Sequence, residues 1–172
     1  VELGRSADLF EGDESDRIER LFNFLFEMVD EKTGHAPNIG PNDGSNPFHL
    51  GNEPFADFRP ALVNFAALFR GERLFPDFNS QSISWLGVTN LKAANKVRSP
   101  LFVAKDFGLV RMLRQGGRMA ITLRVPNDVF RPIQRDALHI DLIVDGKPVL
   151  FDRGTGSYVD YPFDRLEDHN TV

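Results

Sequence analysis

Residues 136–152 read Asp136-Ala137-Leu138-His139-Ile140-Asp141-Leu142-Ile143-Val144-Asp145-Gly146-Lys147-Pro148-Val149-Leu150-Phe151-Asp152. Leu138, Ile140, Leu142 and Val144 alternate with His139, Asp141 and Ile143, which is the two-residue period of a half-buried strand. Asp145-Gly146 is a favoured pair for a type I′ turn, where both central residues take positive φ. A partner strand is therefore expected over 147–152. A two-residue turn sets Leu142 against Val149 and Ile140 against Phe151, and it places His139 opposite Asp152 on the other face.

Working outward, the strand grammar begins near Ser99. Residues 108–114 and 118–125 read as two strands joined by Gln115-Gly116-Gly117, a hairpin signal. Before Ser99 the pattern is helical. Over 16–30, Ile18, Leu21, Phe22, Leu25, Met28 and Val29 recur at i, i+3, i+4, as one buried stripe requires. Asp16 and Glu19 resemble a capping box, and Gly34 is a stop signal. A second helix is expected from Phe58, with Pro60 in its first turn, Leu62, Phe65, Ala66 and Phe69 as its stripe, and Gly71 at its end. A short third helix is expected over 82–86. Helices first and antiparallel strands second make the chain α+β, in two segregated units with a boundary between 98 and 99.

Composition narrows the classes. With 172 residues and 41% apolar content, the chain can bury a sizeable core. Sixteen Phe against two Tyr and one Trp point to dense packing. There is no cysteine, which excludes disulfides and thiolate metal sites. A net charge of −5 argues against a nucleic-acid binder, although a local Arg/Lys cluster could still hold an acidic polysaccharide. No apolar run approaches membrane-spanning length. The chain opens at Val1 with no signal peptide and closes at His169-Asn170-Thr171-Val172, a strand-like start that would leave an open sheet edge. A fragment of a longer protein is therefore expected.

Four segments, in order, resemble the heparinase II/III family of polysaccharide lyases. They are Gly34-His35-Ala36-Pro37-Asn38-Ile39-Gly40-Pro41-Asn42-Asp43-Gly44, Phe55-Ala56-Asp57-Phe58-Arg59-Pro60, the stretch from Asp136 through Gly146 to Asp152-Arg153-Gly154-Thr155, and His169-Asn170-Thr171-Val172. The resemblance spans roughly residues 34–172, and bacterial relatives associated with exopolysaccharide production are more similar than heparin-degrading ones. It implies the end of an (α/α) toroid over 1–98 and the start of an antiparallel β-sandwich over 99–172. It also implies β-elimination on a uronic-acid polysaccharide, in the periplasm or cell envelope. Such chemistry needs a group that neutralises the uronate carboxylate, a base for the C5 proton and an acid for the leaving oxygen.

Carried over residue by residue, Asp152 and His169 match two ligands of a divalent ion, while the third ligand position, a His in the family, is Gln134. An amide oxygen weakens the case for zinc and leaves a harder ion such as calcium open. A catalytic His of the family falls on Pro132, which cannot transfer a proton. His139 and Tyr158 are then the catalytic candidates, as a carboxylate-paired imidazole and as a proton donor after the Gly-Thr turn. Packing roles are open to both: His139 with Asp152 could be a plain cross-strand polar pair. Asn38, Asn42 and Asp43 could recognise sugar hydroxyls, though tight turns prefer the same residues. Arg59 could hold a uronate carboxylate bidentately or brace the loop before its helix. Three functions stay open: a lyase, a non-catalytic polysaccharide binder on the same fold, and a glycoside hydrolase, for which no carboxylate pair stands out.

Overall fold

A computed structural model describes residues 12–38, 51–125 and 137–152. The chain is α+β, with a few helices followed by a five-stranded antiparallel sheet. It divides into two compact units, one comprising residues 1–36 and 46–98, the other 37–45 and 99–172.

In the first unit, α1 spans Asp13–Met28 and carries Asp13, Glu14 and Asp16 in its first turn, where the helix dipole favours negative charge. The helix starts earlier than the capping-box pattern implied. Gly12 at φ 57 turns the chain into it, no side chain caps it, and the Asp16 N–H donates to the Gly12 carbonyl instead. Phe22, Phe26, Met28 and Val29 are buried, but Leu21 is 61% exposed and does not join the stripe. A second helix, α2 (Arg59–Phe65), follows Phe58 with Pro60 in its first turn and runs on as a π-helical turn over Ala66–Arg70. Gly71 closes it at φ 64, its N–H donating to Ala66. A two-residue parallel pair, β1 (Glu72–Arg73) with β2 (Lys92–Ala93), brackets the short helix α3 (Gln81–Trp85).

The core joins Phe22, Phe26 and Val29 to Leu62, Val63, Ala66, Leu74 and Phe75. Its aromatic rings also bind cations. Phe22 stacks on Phe65 at 4.7 Å and meets the Arg70 guanidinium at 4.1 Å, while Arg98 lies 5.0 Å from Phe26. Lys96 reaches both rings, at 5.0 and 5.1 Å. A ring face attracts a cation more strongly as water is removed. Burial pushes the Lys96 and Arg98 pKa values down, consistent with side chains drawn in over apolar rings. The phenylalanine excess thus builds a core whose rim is cationic.

The second unit is a meander in sequence order: β3 (Leu101–Ala104), β4 (Leu109–Arg114), β5 (Met119–Arg124), β6 (Ile140–Val144) and β7 (Lys147–Leu150). Asp145 and Gly146 take φ 49 and 77, as a type I′ turn requires, and Val144 pairs with Lys147. The expected register then fails. Pairing runs Ile143 to Pro148 and Leu142 to Leu150, so Val149 is an extra residue and Leu142 does not face it. Among the described residues β7 lies at the edge of the sheet, and a bulge at such a strand is where proline, with no N–H to give to a ladder, is tolerated.

Candidate functional site

Strand register puts Leu109, Arg111 and Leu113 on one sheet face with Ala120 and Thr122 of β5 and Asp141 and Ile143 of β6. Arg111, Thr122 and Asp141 are direct cross-strand neighbours in one row, and all three are buried. His139, two residues before Asp141, belongs to the same face and is 2% exposed. An apolar face would be the simplest way to build this sheet. Here the charged and polar groups sit among Leu109, Ala120 and Ile143.

The imidazole is flanked by two carboxylates. His139 Nε2 lies 3.6 Å from Asp141 Oδ2, and Nδ1 lies 3.7 Å from Asp152 Oδ2. Asp152 is itself buried, beyond the end of β7. Leu138, immediately before His139, has φ 59, a left-handed conformation that a bulky side chain adopts at a cost of about 1–2 kcal/mol. Its N–H donates to the Arg124 carbonyl, and the Arg124 N–H donates to the His139 carbonyl, so the backbone on both sides of this strain is anchored to β5. Strain held in this way, beside a buried titratable cluster, is characteristic of functional sites.

Electrostatically the cluster is finely balanced. Burial pushes the Asp141 carboxyl above its ordinary range; His139 opposes that shift, the Asp152 charge adds to it, and a backbone hydrogen bond from Asp152 opposes it. The two carboxylates lie against different ring nitrogens, Asp141 against Nε2 and Asp152 against Nδ1. Among the described residues, no three His, Asp or Glu side chains converge as a ready metal cage.

Of the residues singled out by sequence, His139 and Asp152 come together. Gln134, His169, Tyr158, Asn42 and Asp43 lie outside the described residues. Asn38 is half-buried. Arg59 is engaged within its own loop. Its Nε and Nη2 donate to the Asp57 carboxylate at 2.9 and 2.6 Å, Nη1 donates to the Lys32 carbonyl at 2.7 Å, and the guanidinium lies 4.2 Å from the Phe78 ring centre. The pairing with Asp57 raises the Arg59 pKa. A uronate would have to displace Asp57 to gain this fork, so bracing is the role this geometry gives it. Gly34 completes the brace: its carbonyl accepts the Phe58 N–H at 2.9 Å, and the Asp30 carboxylate holds the turn before it through the N–H groups of Lys32 and Thr33.

Sequence reading passed over Arg111, Thr122 and Asp141. A signal for two of them was present. His139 and Asp141 lie two positions apart on a strand and so share a face, and Arg111 interrupts the otherwise apolar Leu109 and Leu113. Thr122 gives no such signal. The chain matches no protein-family model and no curated protein.

Two outcomes follow from this geometry. A Cβ on Gly34 would sit 1.8 Å from Asp57 Oδ1 and 3.1 Å from Arg59 Nε, whereas at Gly71 (φ 64) it would meet nothing within 4 Å. Gly34→Ala should therefore cost more stability in urea unfolding than Gly71→Ala, whose cost is the backbone term of about 1–2 kcal/mol. Equal costs would show that Asp57 and Arg59 are not held against Gly34. The second concerns pH. A carboxyl whose folded pKa is raised contributes stability below its unfolded value that is lost as pH rises through the folded value. The stability of the native protein relative to Asp141→Asn should fall as pH climbs above 3.8 and then level off. A difference independent of pH across the carboxylate range would contradict the burial effect.

Proposed function

We propose that the chain belongs to a polysaccharide lyase of the heparinase II/III kind, comprising the end of an (α/α) toroid and the start of a β-sandwich. Its reaction is β-elimination on a uronic-acid-containing bacterial exopolysaccharide or glycosaminoglycan, in the periplasm or cell envelope. The reading draws on the order and spacing of the four sequence segments. One structural observation supports it: Asp152, which the resemblance matches to an ion ligand, is buried and lies against the buried imidazole of His139.

In this reading the residues divide the work. Gln134, Asp152 and His169 would hold a divalent ion, which supplies a fixed charge that ties nearby loops together. The donor set is an amide oxygen, a carboxylate and an imidazole, which suits calcium at least as well as zinc. His139 is 2% exposed and cannot easily touch a polymer, so it acts as a positioning residue that holds Asp152. Proton transfer then falls to Tyr158. Asn38, Asn42 and Asp43 supply hydroxyl recognition.

A second reading, a non-catalytic polysaccharide binder on the same fold, is favoured by Pro132 and Gln134, which stand where the family carries histidines. One experiment separates the two. The full-length protein is incubated with a panel of uronic-acid polysaccharides, with and without calcium or zinc, while the ultraviolet absorbance of unsaturated uronate is followed. The lyase reading predicts a rising signal that Tyr158→Phe reduces on the order of a hundredfold, the usual contribution of a positioned proton donor. A flat trace with retained polymer binding would leave the binder.

A further inference from the structure

The five-stranded sheet has two faces, and their burial is the reverse of their polarity. On the face that carries the histidine cluster, Leu109, Arg111, Ala120, Thr122, Asp141 and Ile143 are all buried. The opposite face is apolar. Its central row takes one residue from every strand: Leu101, Met112, Ile121, Leu142 and Leu150. The next row is Val103, Val110, Leu123 and Ile140. Neither row contains a polar side chain, and every member is half-buried or exposed. On β3, Leu101 is 55% and Val103 49% exposed.

A contiguous apolar surface open to water marks an interface. Strands about 4.8 Å apart and rows about 7 Å apart make this one on the order of 500 Å². Two copies of it laid together would remove about 1,000 Å² from water, the size at which specific interfaces begin. The third row, Arg114, Met119, Val144 and Lys147, puts two exposed cations at one end of the patch. At the other end the turn between β3 and β4 carries Lys105 and Asp106, both exposed, whose charges cancel.

Shape and charge select the cover. A single helix is about 10–12 Å across, whereas five strands span about 19 Å between their outer axes. An acidic membrane surface would call for cations around the whole rim, and here they stand at one end. A second sheet of equal width, aliphatic on its inner face and about 10 Å away, is what such a surface packs against. The chain itself supplies that sheet.

We propose that this face is the contact between two copies of the chain, an isologous dimer whose sheets pack face to face as a sandwich shared between molecules. In such a contact the same patch serves both copies. A two-fold axis lying across the strands sets the Arg114 end of one copy over the neutral β3–β4 turn of its partner, which keeps the two cationic ends apart. The dimer is independent of the lyase reading and uses the face that the histidine cluster leaves open.

The test is sedimentation equilibrium of the 172-residue chain over a range of concentrations. The native chain should sediment as a dimer that dissociates on dilution. Leu101→Lys combined with Val103→Lys should weaken dimerisation about tenfold or more, because it buries unpaired charge in an apolar contact. Both positions are half-exposed within one chain, and thermal unfolding checks that the variant folds. Trp85→Lys, at an exposed aromatic of the first unit, should leave the dimer unchanged. A second readout needs no charged variant. The chain has no cysteine, so Met112→Cys introduces a single thiol, whose alkylation should slow as the chain concentration rises. A native chain that stays monomeric would overturn the proposal, as would a dimer that the folded lysine variant retains. Association that Trp85→Lys weakens equally, open-ended aggregation in place of a dimer, or thiol alkylation independent of concentration would overturn it too.

Discussion

An imidazole buried between two carboxylates is the constraint around which the sheet is arranged. Ionisable groups that are charged and unmatched leave water at a cost of several kcal/mol each, and His139, Asp141 and Asp152 are buried beside one another, with Arg111 buried on the same sheet face. Three features lie beside them: Leu138, just before His139, has a left-handed backbone, Asp152 lies beyond the end of β7, and a bulge at Val149 displaces the β6–β7 register.

Much of the fold was legible in the sequence, and the reasons are local. The second helix, its proline and its closing Gly71 were readable because helix ends carry their own chemistry. The Asp145-Gly146 turn was readable because few residue pairs accept positive φ at both centres. Register was not, since Pro148 and the bulge beside it depend on what the edge strand can pair with. Leu21 fitted the helical period yet is exposed, because periodicity states which residues could share a face and not how far the neighbouring elements extend. The two-residue strands β1 and β2 are too short to carry any pattern.

The candidate site was legible in part for similar reasons. His139 and Asp152 were brought together by a hairpin argument whose register is off by one, and they still meet because Asp152 lies beyond the paired strand. Asp141 escaped notice because its role depends on burial. On an open face, a His and an Asp two residues apart would be an ordinary solvated pair. In the first unit, Arg59 shows how context settles an ambiguous residue. The same planar fork suits a substrate carboxylate or Asp57, and Gly34 leaves room for Asp57 alone to approach so closely.

The coupling between His139 and Asp152 is the most direct test of this account. A double-mutant cycle with His139→Gln and Asp152→Asn, read by urea unfolding at neutral pH, isolates their interaction from the packing each makes alone. A buried pair in contact should give a coupling free energy of about 0.5–3 kcal/mol. Stabilities that add to within about 0.3–0.5 kcal/mol would show that the two residues are independent, and that the sheet is not organised around a shared imidazole.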